Sequence, residues 1–464
     1  MKTSLVALLS VGIASAWFGP VRIDHEDRPG WTEVHPLITL GPGTGSSQPI
    51  YVVMRDDSSG SKRAIMFQRS TDAGRTWLPA DVLVHRARAM TEDITTDPAG
   101  NIYIVYDDLV GVIGILCVRS SDGGATWSEP ANVDLSGAFG GIEHVATDAK
   151  GNLYCIWIGA GSHPHVFESS STDGGVGWSP RVRVDDYTSS YDGCYPGDVF
   201  VQPGTDHCLV TAEHPRYANG YWTESAYLYR STDMGQTFQP GVRLDTFADS
   251  AGAWDPQVVA DSQHVICDYD DPAEVRTLYT LPDTWGSPHL VGHSYRGPSL
   301  AISADGRVHA ALMEPNTAQD TFHVYYTSSL DYGVTWSSPE FISGDTAGNE
   351  LRPDIAADSA GSAYVVWYSG SGHTMFATNS PAAIAEQPSQ QPIGVPPLAT
   401  VIHNVLFLAE RPSSSQSASY LLDIGGRQVM VLKPGANDVR ALAPGVYFVR
   451  GAQTQAIRKV VVTR

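Results

Sequence analysis

The sequence predicts an all-β chain: a ring of short four-stranded sheets, followed by a small β-sandwich. Three observations lead there. A nine-residue segment is written five times, as RSTDAGRTW from Arg69, RSSDGGATW from Arg119, SSTDGGVGW from Ser170, RSTDMGQTF from Arg230 and SSLDYGVTW from Ser328. The aromatics that close the copies are Trp77, Trp127, Trp178, Phe238 and Trp336; with Trp285 of LYTLPDTWG taken as a degraded copy, their spacings are 50, 51, 60, 47 and 51. A fixed period of this length signals a repeat architecture. Between the copies, polar and apolar residues alternate without helical periodicity.

The first element along the chain is a leader. MKTSLVALLSVGIASA has one Lys, an apolar run and the small-residue pattern Ala14-Ser15-Ala16, so residues 1–16 are expected to be a signal peptide and the mature chain to begin at Trp17. The next longest apolar run, VGVIGILCV from Val110, is too short for a transmembrane helix. The expected location is secreted or outer cell surface.

The repeating units follow. Each opens with a short apolar stretch such as EDITTD from Glu92 and continues in two runs, such as NIYIVYDD from Asn101 and GILCVRSSD from Gly114. It then passes through the repeated segment and ends in a stretch such as TWSEPANVD from Thr126. That is four short strands, rich in β-branched and aromatic residues. Four antiparallel strands repeated around an axis make a β-propeller. Seven first strands can be read: VHPLITL from Val34, EDITTD, IEHVATD from Ile142, PGDVFVQ from Pro196, DPQVVAD from Asp255, GPSLAIS from Gly297 and RPDIAAD from Arg352. The seventh unit stops after TMFATNS, with no repeated segment and no fourth strand. WFGPVRID from Trp17 matches WSPRVRVD from Trp178 and FQPGVRLD from Phe238. The N-terminal strand is therefore expected to complete the last sheet, closing a seven-bladed β-propeller over residues 17–381 and removing two sheet edges.

The repeated segment falls at the turn between third and fourth strands. Its Gly permits a left-handed backbone, its Asp accepts bonds from turn N–H groups, and its aromatic can pack between sheets. Asp72, Asp122, Asp173, Asp233 and Asp331 are thus read as structural.

Charge is uneven. Residues 398–464 hold 8 Lys and Arg against 3 Asp and Glu, whereas residues 17–397 hold 20 against 47, a net of -27. Such a body repels nucleic acid and anionic membrane. The five cysteines, Cys117, Cys155, Cys194, Cys208 and Cys267, have no metal spacing and no CxxC, and no disulfide framework is predicted. His163-Pro164-His165 lacks a third ligand nearby and reads as a turn. No G-x-S-x-G and no phosphate-binding glycine loop occurs.

With the repeated turns at one end of the ring, first strands begin and second strands finish at the other. First-strand starts place His35, Glu92, Asp93, Glu143, His144, Asp198, Trp254, Asp255, Arg296 and Arg352 around the channel mouth. Second-strand ends add Arg55, Asp56, Asp57, Asp107, Asp108, Glu213, His214, Asp270, Asp271, Glu314 and Tyr368. Glycoside hydrolysis needs two carboxyl groups of unlike protonation, which crowded carboxylates provide, and Trp254 offers a stacking surface for a sugar. A solvated acidic rim and a Ca²⁺ site with oxygen ligands are the alternatives. No other cofactor is expected.

S-x-D-x-G-x-T-W repeated at this spacing resembles the Asp-box (BNR) repeats of sialidase-like propellers, over about residues 17–381. The resemblance implies boxes on the face away from the active site. Sialidases clamp the substrate carboxylate with three arginines and use a Tyr–Glu nucleophile and an Asp acid. On that pattern Asp255, Glu143, Glu314 and Tyr368 are the catalytic candidates, with Tyr368 as nucleophile and Glu314 or Glu143 as its base. Arg296, Arg352, Trp254, Asp93 and Asp198 are the substrate-binding candidates. Two features depart from the pattern. The third arginine has no match, since Arg22 falls in an outer strand, and sialidases have six blades where seven are counted here.

Residues 382–397, AAIAEQPSQQPIGVPP, read as a linker. Beyond it, LLDIGGRQV, PGANDV, LAPGVYFVR and KVVVTR are strands divided by Gly-Gly and Pro-Gly turns, giving a small β-sandwich over residues 398–464. These motifs resemble the C-terminal sorting domain of type IX (Por) secretion substrates, which implies export by that machinery. The combined expectation is a monomeric, secreted or cell-surface propeller that binds, and as a glycoside hydrolase cleaves, extracellular carbohydrate or glycoprotein at the acidic mouth. The alternative is a non-catalytic scaffold that binds protein or polymer.

Overall fold

The computed structural model describes residues 17–25, 35–56, 64–86, 92–108, 114–134, 139–159, 161, 164–188, 193–205, 207–218, 221–245, 252–271, 274–281, 284–285, 289–292, 294, 298–316, 321–344, 349–384, 400–402, 405–408, 419–423, 427–433, 435–451 and 457–462. The chain divides into two compact units, residues 1–385 and 386–464. Apart from the short helix Pro381–Ile384 and the 3-10 turn Gly45–Ser47, every regular element among the described residues is a strand.

In the first unit the strands form separate, open antiparallel sheets. Sheet one holds Leu37–Leu40, Ile50–Asp56, Ala64–Ser70 and Val82–His85; sheet two, Glu92–Thr96, Ile102–Asp108, Gly114–Ser120 and Ala131–Asp134. Sheet three holds Phe139–Thr147, Leu153–Gly159, Val166–Ser171 and Val182–Arg183; sheet four, Tyr195–Val201, Cys208–Ala218, Tyr221–Ser231 and Val242–Arg243. Sheet five holds Trp254–Ala260, Val265–Asp271 and Glu274–Leu281, which pairs with both Thr284–Trp285 and His289–Gly292. Sheet six holds Ser299–Ile302, Val308–Asn316, Thr321–Ser329 and Glu340–Phe341. Sheet seven holds Glu350–Ala357, Ala363–Ser369, His373–Thr378 and, at its outer edge, Phe18–Arg22. The first strand of each sheet lies beside that of the next, and Leu37–Leu40 also neighbours Glu350–Ala357. Apolar clusters fill the spaces between successive sheets, as where Met54 and Met66 of sheet one meet Val366 and Phe376 of sheet seven.

The five repeated turns share one geometry. The Ser hydroxyl donates to the Asp carboxylate at 2.7–2.9 Å and accepts the Gly N–H at 2.8–3.0 Å. The same carboxylate takes the N–H four residues on at 2.8–2.9 Å. The residue after the Asp is left-handed in every copy, at Ala73, Gly123, Gly174, Met234 and Tyr332. The following Gly is needed for packing as well. A Cβ on Gly74 would stand 2.4 Å from the Phe376 ring, and one on Gly124 would stand 2.2 Å from Phe67, each in the preceding sheet. Sheet five lacks this turn; Thr284–Trp285 folds back on Thr280 and Leu281 as a tight hairpin instead.

Two further carboxylate devices repeat. Between first and second strands, Asp97, Asp148 and Asp358 accept the N–H four residues on at 2.8–2.9 Å. After the fourth strand, Asp24 of VRID and Asp185 of VRVD each bond the Arg two residues before and a third-strand N–H, of Thr374 and Val166 respectively. Asp245 of VRLD bonds Arg243 in the same way.

The N-terminal segment ties three sheets together. Phe18–Arg22 pairs with His373–Thr378 of sheet seven. The Trp17 ring meets Tyr326 of sheet six edge-on at 4.9 Å, and its N–H donates to Glu340 at 2.9 Å. His25 bonds Asp81, beside the fourth strand of sheet one. Trp17 thereby stands where Trp77 and Trp127 stand, edge-on to a third-strand aromatic of the preceding sheet.

In the second unit, Thr400–Ile402, Ile457–Val462, Gly445–Gly451, Ser419–Leu422 and Gln428–Leu432 form one sheet, in that order, and Val405–Leu408 pairs with Gly435–Asp438. Leu421, Leu432, Val439, Tyr447, Val449 and Val462 form its core.

Two outcomes are expected. Trp17→Ala should lower the unfolding free energy by about 2 kcal/mol, part of the cost of truncating a fully buried Trp; denaturant titration measures it. Glu168 is fully buried between sheets three and four, and neither of its oxygens has a hydrogen-bond partner among the described residues. Burial, with the Asp233 charge adding, raises its pKa well above the ordinary value. Its protonated form therefore favours folding, fully below about pH 4.3, and that advantage is lost as pH rises through the raised pKa. Glu168→Leu should remove this slope and stabilise by about 1–3 kcal/mol at pH 8.

Candidate functional site

The first strands enclose a cavity of about 370 Å³ lined by Leu37, Ile38, Asp93, His144, Asp198, Gln257, Ser299, Asp354 and their neighbours. Its carboxylates bond main chain. Asp93 takes the N–H of Ile94 at 2.7 Å and that of Val145 in sheet three at 2.8 Å. Asp198 takes Val199 at 2.8 Å and Val258 of sheet five at 3.2 Å. Asp354 takes Ile355 at 2.9 Å, Ile38 of sheet one at 2.8 Å and the Ser299 hydroxyl of sheet six at 2.6 Å. The Gln257 carbonyl takes Leu300 of sheet six at 2.9 Å. Each is a staple between neighbouring first strands. Asp93 and Asp198, expected from sequence at the substrate, line this cavity and bond main chain within it. Burial pushes Asp198 up to about 7, with Asp354 adding its charge. Burial also raises Asp93, against the two N–H bonds that lower it. His144, 3.8 Å from Asp93, is pushed down to about 4 by burial and is neutral at pH 7.

Above the staples four first strands are bulged, between Gly141 and His144, Pro196 and Asp198, Trp254 and Gln257, and Leu351 and Asp354. In sheets five and seven the bulge holds a non-glycine residue with left-handed backbone: Asp255 at φ 46° and Arg352 at φ 53°. Each precedes a proline. Such a conformation costs about 1–3 kcal/mol and persists only where its surroundings enforce it.

For Asp255 the enforcing groups come from sheet four. Glu213 Oε1 accepts the Asp255 N–H at 2.5 Å. The Thr211 hydroxyl donates to the Pro256 carbonyl at 2.6 Å, where both are buried. Gly197 leaves room for that carbonyl, since a Cβ there would stand 2.1 Å from its oxygen. The Trp254 ring packs over Gly252, where a Cβ would stand 2.3 Å away. Asp255 itself is exposed. The Glu213 carboxyl is pushed up to about 8 by burial first, then by the Asp255 charge, against the N–H bond that lowers it. Two neighbouring carboxyl groups thus sit in unlike environments, one half-buried with a raised pKa, one in solvent.

In sheet seven, Arg352 Nη1 lies 2.8 Å from Nδ1 of His35. A guanidinium only donates, so His35 Nδ1 accepts and this imidazole is the neutral Nε2–H tautomer.

The remaining sequence candidates are dispersed. Tyr368 is 3% exposed, in the apolar cluster with Ile38, Met54 and Leu351. Core packing takes the place of the nucleophile role expected of it. Glu314 of sheet six lies beside Gly292 of sheet five, and its charge adds to burial, the larger cause, in raising the pKa of Tyr325. The Glu143 side chain, Arg296 and His163 lie outside the described residues; His165 bonds Asp185 at 3.0 Å. All five cysteines are buried and unpaired. Among the described residues, no group of three or more His, Cys, Asp or Glu is placed to hold a metal. Sequence reading placed Glu213 at the mouth without seeing its bond to Asp255, which joins residues 42 apart.

No family model matches the chain. An ulvan lyase of polysaccharide lyase family PL25, bound to -[GlcA(1-4)Rha3S]-, aligns with a TM-score of 0.53 at 11% identity, over 77% of this chain and 95% of its own. A Hadza microbial sialidase aligns at 0.47 and 18% identity, over 74% and 75% of the two chains. A leech intramolecular trans-sialidase aligns at 0.43 and 14%, over 80% and 71%. The likeness to the lyase is one of fold, nearly all β and propeller-like.

The clamp on Asp255 gives one expected outcome. Thr211→Val, which keeps the shape and removes the hydroxyl, leaves the Pro256 carbonyl unpaired and should cost about 1–3 kcal/mol of stability by chemical denaturation. Thr211→Ser should restore most of it.

Proposed function

We propose that residues 17–381 form a seven-bladed Asp-box propeller, closed by its N-terminal strand, that hydrolyses extracellular glycans at the mouth of its channel. The sheet order and the pairing of Phe18–Arg22 with His373–Thr378 support the architecture. The observation that carries the function is the paired strain at Asp255 and Arg352. Asp93, Asp198 and Asp354 bond main-chain N–H groups in a pattern that follows the repeat. Asp255 and Arg352 break the backbone rule at corresponding positions of two sheets, presenting one carboxylate and one guanidinium. Strain of this kind clusters at functional sites. A fold neighbour bound to a polysaccharide lends further support. The tyrosine-nucleophile chemistry of sialidases is not part of this reading, because Tyr368 is in the core.

The leader expected at residues 1–16 and the sorting-domain motifs of residues 398–464 extend the proposal to a secreted protein delivered by type IX export to the outer surface or medium. Its partner is carbohydrate or glycoprotein, and hydrolysis needs only water and two carboxyl groups.

The test is turnover on a panel of chromogenic glycosides, sialosides and uronosides included, with the Asp255→Ala, Arg352→Ala double variant as control. Release by the parent should fall at least about 100-fold in the double variant, the size of effect general acid–base groups carry. No release above the control would point to a glycan-binding or scaffold propeller, and a glycan array would then follow.

A further inference from the structure

Resting on that hydrolytic reading, we infer that Glu213 is the carboxylic acid that protonates the departing glycosidic oxygen, with the exposed Asp255 side chain as its partner. Three observations carry it. Glu213 ends the inner part of its strand opposite Tyr195, at the bulged entry of sheet four. Its carboxyl is fixed by the bond it accepts from the strained Asp255, the one exposed carboxylate bonded to it through the main chain. Its position is acidic in three sheets, at Asp107, Glu213 and Asp270, and varies in the rest. The residues just before it are mainly apolar in each sheet, whereas its own position holds Arg55, Asp107, Ile158, Asp270, Met313 and Tyr368 in the others. A site that varies on a repeating frame is free to serve one place only.

The environment suits the task. An acid catalyst must hold its proton at working pH, and the burial of Glu213 beside Asp255 and Glu224 does this. The step balances simply. The bond from the anomeric carbon to the glycosidic oxygen breaks, its electron pair stays on that oxygen, and the Glu213 proton joins it. A water oxygen bonds the anomeric carbon and gives its proton to Asp255; exchange with solvent returns a proton to Glu213. Thr211 and Gly197 are positioning residues in this scheme, acting through Asp255.

The experiment compares the full chain with Glu213→Gln on two glycosides of the same sugar. One carries 4-nitrophenol, which leaves better when protonated; the other carries 2,4-dinitrophenol, which leaves without a proton. The variant should lose at least about 100-fold in kcat on the first and less than about 10-fold on the second. The parent's kcat should fall above pH 8 on the first substrate alone. Isotope-edited infrared titration should show one glutamate carboxyl, absent in Glu213→Gln, that keeps its proton through pH 7. Equal loss on both substrates would mean that Glu213 is structural and would overturn the assignment. Full activity of the variant, or a Glu213 ionised at pH 6, would overturn it while leaving the hydrolytic reading in place. A parent inactive on every glycoside would overturn both.

Discussion

A carboxylate that accepts main-chain N–H groups is the interaction on which this chain depends. Short strands and many turns leave N–H groups without ladder partners, and a buried N–H left unpaired costs as much as a lost hydrogen bond. One carboxylate can satisfy two of them, with charge-assisted bonds. The chain uses this device at the repeated turns, at the first turn of the sheets in Asp97, Asp148 and Asp358, after the outer strands in Asp24 and Asp185, and between neighbouring first strands in Asp93, Asp198 and Asp354. Much of the negative charge of residues 17–397 is therefore mortar between backbone segments and not a solvated rim.

The sequence displayed the repeated part of this design well and the singular part poorly. The turn at Asp72 could be read because its partners, Ser70, Gly74 and Thr76, lie within four residues of it. The outer strand at Phe18–Arg22 could be read because VRID recurs as VRVD and VRLD. Asp93 and Asp198 could not be told from ligand-binding carboxylates, since the second N–H of each comes from 52 or 60 residues away. A signal was nonetheless present. EDI, GDV, PQV and PDI place a polar acceptor before an apolar residue at one position of four first strands, and a feature that recurs on a repeating frame serves the frame. Tyr368 misled for the opposite reason: its hydroxyl suggested chemistry, while the strand AYVVWYS buries it with its neighbours.

Departure from the repeat is then the mark of function. Asp255 and Arg352 are bulged and left-handed where other first strands run straight or use glycine. Thr211 stands where sheets one and seven carry Val53 and Val366. It stands there because Pro256 of the next sheet needs a donor. Glu213, Thr211 and Gly197 belong to one sheet and Asp255 to the next, so the candidate site is a property of the junction and neither sheet contains it alone.

The N-terminal strand has a consequence for how the protein is made. Asp24 bonds Thr374 across 350 residues of chain. A ribosome adds roughly 5–20 residues each second, so the first strand synthesised waits on the order of half a minute for the strand it joins. Six sheets are contiguous in sequence and can form in the order of their synthesis; the seventh cannot, because its outer edge is made before the other six sheets and the rest of it after them. Assembly therefore has an intrinsic last step, the return of Trp17–His25 to an edge that appears only when the repeats are complete. Any factor that keeps those nine residues occupied during synthesis would hold the molecule one strand short of its finished form.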